Sequence, residues 1–372
     1  MKIAQVAPLH ESVPPKFYGG TERVVSYLTE ALVETGHDVT LFASGDSVTR
    51  AELRPCCRGA LRLDRQSVDP MADHVYLAEC VFQEAGEFDI VHSHIDYIGF
   101  PLWRRMHTPR VTTLHGRLDI PNLQNLYREF SDEPLVSISD FQRRPLQPVN
   151  WLATVHHGVP RDLYSFHEQP GDYLAFLGRV SPEKRLEDAI EIAKRAGIPL
   201  KIAAKVDNAD REYFASEIRP QLDHDGIEFI GEISDAEKGE FLGNALALLF
   251  MIDWPEPFGL VMIESLACGT PVIARARGSV PEILQHGASG FIVRRGIDEA
   301  VQAVNSISRL SRKRCREIFD ERFTAERMAR NYLAVYEDWI EAKPLLAKPS
   351  RRPALRAGKF FRAPSFSREL GV

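Results

Sequence analysis

Two glutamates that stand eight positions apart form the part of this 372-residue chain best suited to chemistry. Glu256 lies between two prolines, which exclude a regular helix there, whereas residues 260–268 are good or tolerable helix formers that end at Gly269. The stretch therefore predicts a loop, then a helix, then a strand. Glu264 would lie about one turn inside that helix, and carboxylates at both places can accept hydrogen bonds from sugar hydroxyl groups.

The start of this predicted helix is a candidate anion site. Its first backbone N–H groups, near Gly259 and Leu260, have no partner within the helix and carry partial positive charge, so they suit a pyrophosphate. A glycine at position 259 lets such a ligand approach the backbone closely. For either glutamate taken singly, the alternative is an acidic first turn that the helix dipole alone would favour. The combined spacing is more specific.

The amino-acid sequence of this stretch resembles that of a known family. Glu-Pro-Phe-Gly-Leu, a second glutamate four residues later, and then Ala-Cys-Gly-Thr-Pro-Val-Ile-Ala resemble the signature of retaining glycosyltransferases of family 4 (glycosyl transferases group 1). The likeness extends over roughly residues 1–340. It implies the GT-B fold, in which two doubly wound, Rossmann-like α/β domains face each other across a cleft. It also implies that Glu256 contacts the donor sugar and Glu264 the nucleotide ribose. The residues between them would also bind the donor: Phe258, Gly259 and Leu260.

Two cations frame a second predicted strand-to-helix connection. Arg179 ends a strand, and Lys184 precedes a helix over residues 186–196, with Ser181 as the predicted N-cap and Pro182 as the first helical residue. A helix dipole mildly opposes cations at this end, so a solvated surface pair explains them less well than usual. Two positive charges beside the anion site would neutralise a diphosphate leaving group without a metal ion. The resemblance implies the same roles for this arginine and lysine.

Further candidates for the donor side are weaker. Lys205 ends the next strand and could assist the phosphates, although the relatives often have glycine thereabouts. Asp223-His224-Asp225 contains an Asp-x-Asp pair of the kind that binds divalent metal in the other large glycosyltransferase fold. Here the pair stands before Gly226 and a strand, where acidic residues commonly form turns. No metal site is therefore expected.

The chain opens with a predicted β–α–β unit that contains a glycine pair. An apolar run over residues 1–8 predicts a buried strand, and residues 22–35 have the apolar spacing of a helix. Gly19 and Gly20 precede that helix, but the local sequence is not the Gly-x-Gly-x-x-Gly pattern of dinucleotide binding. A flexible turn is the alternative. The resemblance implies that the backbone of the pair meets the donor phosphate and the acceptor.

Histidines follow two further predicted strands. His92 and His94 share one face of a strand end and could converge on a metal, but no third ligand is visible nearby, so hydrogen-bonded polar residues are favoured. His115 also follows a strand, where open α/β sheets bind ligands, against the alternative of a capping or core histidine. The resemblance implies that His115 hydrogen-bonds the donor sugar from the opposite domain. His157 stands where the relatives usually have asparagine, which leaves its role open.

Composition sets the number of domains. With 44% hydrophobic and 26% charged residues, the chain can bury two ordinary cores. We expect an N-terminal domain on the acceptor side over residues 1–165 and a donor domain over 166–322, with a linker within 160–172. A helix over residues 323–342 would cross back onto the first domain, as in the GT-B fold.

Charge and cysteine content bound the partners. The net charge is −6, although residues 343–372 contain eight Lys or Arg and one acid. That basic tail, with four prolines, predicts disorder, and it could either touch anionic lipid or be solvated. No nucleic-acid partner is expected. No long apolar run or charged leader is visible, and five cysteines without Cys-x-x-Cys spacing argue against a disulfide framework or zinc. We expect a cytoplasmic protein, with contact at the inner face of the membrane left open.

The function that these observations favour is the transfer of a sugar from a UDP- or GDP-sugar to a hydroxyl group. The resemblance implies retention of configuration, with the leaving phosphate helping to take the acceptor proton. The acceptor could be a sugar, a lipid-linked glycan or a small molecule. Two alternatives stay open: a GT-B nucleotide-sugar epimerase or phosphorylase, and a non-catalytic sugar-nucleotide binding protein.

Overall fold

The computed structural model of the chain describes residues 1–16, 19–64, 67–146 and 148–346. Its first sheet has seven strands, all parallel. They are β1 (Lys2–Val6), β2 (Asp38–Ser44), β3 (Glu52–Cys57), β4 (Ile90–Ser93), β5 (Arg110–Thr113), β6 (Leu135–Ser137) and β7 (Trp151–Thr154). The helices of this domain are α1 (Gly20–Glu34), α2 (Pro70–Glu84), α3 (Phe100–Trp103), α4 (Leu123–Glu129) and α5 (Asp140–Arg143).

The second sheet has six parallel strands. They are β8 (Tyr173–Arg179), β9 (Leu200–Lys205), β10 (Ile227–Gly231), β11 (Ala245–Phe250), β12 (Val272–Arg275) and β13 (Gly290–Val293). The helices that follow β8 in the chain are α6 (Leu186–Ala196), α7 (Arg211–Tyr213), α8 (Asp235–Gly243), α9 (Leu260–Ala267), α10 (Val280–Ile283), α11 (Ile297–Asn305), α12 (Arg312–Arg322) and α13 (Ala325–Leu346).

Apolar strands and one-sided helices explain the layers. Ala247, Leu248 and Leu249 of β11 are all buried, because helices cover both faces of a parallel sheet. Helix α1 buries Leu28 and Leu32 on one side, as its apolar spacing predicts. Both domains are doubly wound α/β units, so the predicted fold class is confirmed.

The strand order places a ligand site in each domain. In the first sheet the order is β3-β2-β1-β4-β5-β6-β7, so the winding direction reverses between β1 and β4. In the second sheet the order is β10-β9-β8-β11-β12-β13, and the reversal lies between β8 and β11. Ligands of open α/β sheets bind outside the carboxyl ends of the strands at such reversals. The loops that follow β1, β4, β8 and β11 are therefore the ones to inspect.

Helix α13 joins the two domains. It follows the second domain in the chain, yet Met328, Tyr332 and Tyr336 are buried in the core of the first domain, and the helix packs against α1. It begins at Ala325, later than predicted, because Thr324 pairs with Val159 in a short bridge. It continues to Leu346, four residues beyond the predicted end, so residues 343–346 of the predicted tail are helical. The rest of that tail lies outside the described residues.

The connection after β8 differs from the prediction. Ser181 does not cap a helix that starts at Pro182: residues Pro182–Lys184 form a separate 3-10 turn, and α6 starts only at Leu186. The cause is Arg185, whose φ of 55° is left-handed and cannot continue a right-handed helix. Lys184 is therefore the last residue of this 3-10 turn and is not part of α6.

Two smaller points concern the cysteines and the membrane. None of the five cysteines forms a disulfide bond, and Cys56 and Cys57 lie in strand β3. None of the helices in the described part of the chain combines the length and the apolar character needed to span a bilayer.

Candidate active site

The carboxyl ends of the two sheets face each other across a cleft of about 900 Å³. All eleven residues that the sequence singled out line this cleft: Gly19, Gly20, His115, Arg179, Lys184, Lys205, Glu256, Phe258, Gly259, Leu260 and Glu264. They come from both domains and from the loops beside both strand-order reversals. Their individual roles stay predictions, but the structure brings the whole set together.

Glu256 and Lys184 form an ion pair inside the cleft. The Lys184 ammonium lies 2.6 Å from Glu256 Oε2, and the indole N–H of Trp254 donates to the same oxygen at 2.9 Å. The ammonium also lies 5.0 Å from the centroid of the Trp254 ring, within the range of a cation–π contact. Neither charged side chain is largely exposed. The pair puts a cation and a carboxylate side by side beside the start of α9.

Both domains hold the loop that carries Glu256. The hydroxyl of Ser139, in the first domain, donates to the carbonyl of Pro257 at 2.6 Å, and Ser279, in the second, donates to the carbonyl of Phe258 at 2.7 Å. Gly278 has a φ of +55°, and a methyl group there would lie 2.3 Å from the Glu256 carbonyl oxygen. Only glycine fits this close approach. The position of Glu256 thus depends on contacts from two separate segments, one in each domain.

Gly259 explains why α9 begins where it does. Its φ of +83° is left-handed, and a methyl group on it would lie 3.1 Å from the Phe250 ring and 2.9 Å from Met262. A glycine is needed both for the backbone angle and for the space. The N–H groups that follow it at Leu260 and beyond begin an eight-residue helix that faces the cleft. These N–H groups are the ones predicted to donate hydrogen bonds to phosphate.

Glu264 is buried and already held on one oxygen. Lys238 donates to its Oε1 at 3.2 Å and the hydroxyl of Tyr164 donates to it at 3.3 Å. Lys238 also pairs with Asp235 at 2.9 Å, and Asp235 forms an ion pair with Arg23 of the first domain. A short network therefore connects the predicted ribose ligand to helix α1 across the cleft.

The other two cations predicted to bind phosphate, Arg179 and Lys205, are paired with carboxylates. Arg179 donates to Glu183 at 2.6 Å and lies within 4 Å of carboxylate oxygens of Asp207 and Asp210. Lys205 pairs with Asp207 at 3.2 Å. Both cations are about one third exposed. A diphosphate that bound to Arg179 and Lys205 would therefore have to displace these carboxylates from the two cations.

His115 enters the cleft from the first domain as a neutral ring. Burial lowers the pKa of His115 to about 3, so the imidazole carries no charge at neutral pH. Its Nε2 lies 2.9 Å from Nδ1 of His94, and its ring stacks on His157 with centroids 5.3 Å apart. His157 in turn contacts Phe258 edge to face at 4.7 Å. The residue whose role was open thus bridges His115 and the central motif.

The two glycines of the first turn differ. A methyl group on Gly19 would lie 2.8 Å from Cβ of Pro15, so internal packing accounts for that glycine. A methyl group on Gly20 would meet only Leu260, at 3.9 Å, which is ordinary contact. Packing within the described residues therefore does not require glycine at position 20. A ligand that approaches the backbone would.

Several contacts of the predicted residues were not predicted. Lys238 and Tyr164 contact Glu264 from distant segments, a pairing for which a single sequence carries no signal, whereas Glu183 pairs with Arg179 from only four residues away. Asp96 has a φ of 48°, and burial raises the pKa of its carboxyl to about 6. Its place two residues after His94, past the end of β4, is the one signal that could have pointed to it.

The structure also locates the two residue pairs that were considered as metal ligands in the sequence. Asp223 and Asp225 lie in an exposed turn before β10, and His224 between them contacts the backbone of Asp225. His92 and His94 are buried and hydrogen-bonded to neighbouring side chains, as the favoured interpretation expected.

Comparison with known families identifies relatives of both domains. Residues 165–322 match the model described as Glycosyl transferases group 1, and residues 18–156 match Glycosyltransferase Family 4. The N-acetyl-alpha-D-glucosaminyl L-malate synthase of Bacillus anthracis is 25% identical over 364 residues, which cover 86% of this chain and 94% of that protein. The D-inositol 3-phosphate glycosyltransferase of Mycobacterium marinum is 26% identical over 61% of this chain and 57% of its own length.

A solved structure shares the arrangement of the domains. An Anabaena protein crystallised in complex with UDP and glucose superposes with a TM-score of 0.69 at 18% identity, over 91% of this chain and 100% of the other. At that identity the likeness concerns the fold.

Proposed function

We propose that this chain, which belongs to glycosyltransferase family 4 (glycosyl transferases group 1) and has the GT-B fold, transfers a sugar from a nucleoside diphosphate donor to a hydroxyl group with retention of configuration. The donor is a UDP- or GDP-sugar, and no metal ion takes part. The observation that carries the proposal is the Lys184–Glu256 pair beside the start of α9. In that pair, a cation suited to phosphate and a carboxylate suited to sugar hydroxyls lie beside the first N–H groups of α9, which supports the proposal.

Donor binding would rearrange the charges of the cleft. A diphosphate carries more negative charge than one carboxylate, so it would draw Lys184 from Glu256 and Arg179 from Glu183. Glu256 would then be free to accept hydrogen bonds from the sugar. The Anabaena neighbour, whose structure holds UDP and glucose in the same fold, supports this class of donor.

In the proposed step the bond between the anomeric carbon and the phosphate oxygen breaks, and a bond to the acceptor oxygen forms on the same face. The proton of the acceptor hydroxyl passes to an oxygen of the leaving phosphate. Negative charge grows on that phosphate, where Lys184, Arg179 and the α9 N–H groups can stabilise it. No side chain has to act as a nucleophile. His115, which is neutral, contacts the sugar from the first domain.

A ligand panel followed by an activity assay tests the proposal. UDP or GDP should raise the melting temperature, since a ligand at about 100 times its dissociation constant stabilises by roughly 2.7 kcal/mol. The matching nucleotide sugar, incubated with candidate hydroxyl acceptors, should give a glycoside that retains the anomeric configuration. An isomer of the donor formed without acceptor would indicate an epimerase, and a need for inorganic phosphate would indicate a phosphorylase. Binding without turnover would indicate a silent protein.

A further inference from the structure

A chain of buried hydrogen bonds runs from the cleft to α13. His115 Nε2 lies 2.9 Å from His94 Nδ1, and His94 Nε2 lies 2.9 Å from the amide oxygen of Gln5. The amide nitrogen of Gln5 donates to the hydroxyl of Tyr336 at 3.3 Å, and that hydroxyl contacts His92 Nδ1 at 2.6 Å. We call these five residues the buried relay. Four of them, Gln5, His92, His94 and Tyr336, are at most 2% exposed.

The relay determines which ring nitrogen carries the proton in His94 and in His115. An amide oxygen can only accept, so His94 Nε2 must donate to Gln5. Burial lowers the pKa of His94 well below its usual value, so the ring is neutral and its Nδ1 has no proton. That Nδ1 therefore accepts from the Nε2–H of His115. Because His115 is also neutral, its own Nδ1 is left as a bare acceptor.

The far nitrogen of His115 supports this direction. His115 Nδ1 is buried and has no hydrogen-bond partner among the described residues, and the residue lines the cleft. Turning the Gln5 amide over would reverse every bond of the relay and leave a buried, unpaired N–H at this position. An unpaired buried N–H is rarer in proteins than an unpaired acceptor. The bare Nδ1 is thus an unpaired acceptor on a residue that lines the cleft.

We propose that His94 is a positioning residue that holds His115 in the Nε2–H tautomer, so that His115 Nδ1 accepts a hydrogen bond from a hydroxyl group of the bound sugar. The proposal rests on the proposed function for the identity of that hydroxyl. It makes His115 selective for a group that can donate: a deoxy or fluoro substituent at the facing position would be rejected. It also gives α13 a part in the site, since Tyr336 holds the inner end of the relay.

Two substitutions of His94 separate positioning from packing. The amide of asparagine can place an oxygen where His94 Nδ1 lies, whereas the longer amide of glutamine reaches the place of Nε2. His94→Asn keeps the acceptor for His115, and His94→Gln keeps the contact with Gln5 but loses that acceptor. We expect His94→Asn to hold kcat within a few-fold of wild type, and His94→Gln to lose about tenfold, the value of one neutral hydrogen bond. Melting temperatures of the two variants should be similar. Equal losses in both would overturn the positioning role.

The tautomer itself can be observed without turnover. In ¹⁵N-histidine NMR of the full chain at neutral pH, His115, assigned through loss of its signals in His115→Gln, should carry its proton on Nε2. A proton on Nδ1 would overturn the proposal even if the enzyme transfers sugar as proposed. Failure of every nucleotide sugar to react would instead count against the proposed function and leave the NMR result to decide the relay. If both His94 variants fail to fold, the wild-type spectrum still decides.

Discussion

At the scale of single residues, the predicted ligands of the cleft are held in ion pairs, which we propose that a substrate breaks when it binds. Lys184 and Glu256 are paired, and Arg179 is paired with Glu183. Each predicted ligand thus has a partner that keeps it from being a lone charge in a partly buried place, where desolvation would be costly. The sequence predicted these ligands through their motif, but it did not predict partners such as Glu183, which lies in the 3-10 turn and pairs with Arg179.

Lys238 provides a direct test of this view for Glu264. Replacing Lys238 with methionine leaves the buried Glu264 carboxylate with the Tyr164 hydroxyl as its one remaining side-chain partner among the described residues, which is expected to cost about 3 kcal/mol of stability. If Glu264 binds the ribose as proposed, nucleotide affinity should also fall, because the carboxylate loses its fixed orientation. Urea unfolding and nucleotide titration calorimetry measure the two effects. Lys313→Met, an exposed control in the same domain, should change neither, and an equally silent Lys238→Met would contradict the network.

The buried histidines predict an acid-sensitive fold. Burial lowers the pKa of four of them below the usual 6.5: His92, His94, His115 and His157. Below pH 6.5 these histidines therefore bind protons in the unfolded chain but not in the native chain. Each histidine should remove about 1.4 kcal/mol of stability per pH unit below that value.

Three buried carboxyl groups act in the opposite sense, because burial raises the pKa of Asp96, Glu11 and Glu22. With four histidines against them, the free energy of unfolding measured in urea should fall between pH 7 and pH 5.5. A flat or rising profile over that interval would mean that these rings are not kept neutral.

At the scale of elements, periodic segments were predictable and segments controlled by one backbone angle were not. The apolar spacing of α1 and the proline-glycine punctuation of α9 correspond to helices that formed close to their predicted bounds. The bounds of α6 match the predicted 186–196, but Ser181 as its N-cap and Pro182 as its first residue were wrong, because the left-handed Arg185 has no sequence signal. That angle is held by ion pairs with Glu187 and Asp188, which only the folded turn brings together.

The glycines at the two helix starts give a matched pair of variants. Gly259→Ala should cost about 1–2 kcal/mol for the left-handed angle alone and should weaken nucleotide binding, since the start of α9 must shift. Gly20→Ala has room in the empty cleft and should leave stability unchanged to within about 0.5 kcal/mol. If donor phosphate or acceptor approaches Gly20, its alanine variant will nevertheless lose activity. Full activity would remove Gly20 from the site.

At the scale of the whole molecule, the cleft is bordered by contacts that cross between the domains. Glu282, in the second domain, accepts hydrogen bonds from the backbone N–H groups of Asp140 and Phe141, both at 2.7 Å, at the start of α5. Arg23 meets Asp235 across the opposite side. The two-domain arrangement followed from the family resemblance, whereas these contacts depend on how the domains meet and could not be read from either half alone.

The C-terminal residues supply a prediction at the same scale. A chain that ends after Leu346, where α13 ends, keeps the helix that fills the core of the first domain. It should therefore stay folded and active toward a soluble acceptor. Residues 347–372 contain seven Lys or Arg and one acid. If they contact lipid, their removal should weaken sedimentation with anionic vesicles at low salt. Loss of activity on a soluble acceptor would show that the tail serves the enzyme itself.

The central claim is that protein cations and helical N–H groups, without a metal ion, stabilise the leaving diphosphate. The most direct measurement is kcat and donor affinity for wild type and Lys184→Ala in excess chelator. Chelator should leave wild-type turnover nearly unchanged. Lys184→Ala should lose about 3–4 kcal/mol of transition-state stabilisation, some hundreds-fold in kcat, with a smaller loss of donor affinity. Asp223→Ala combined with Asp225→Ala should be silent. Activity that chelator abolishes and manganese restores, together with loss of turnover in that double variant, would contradict the account.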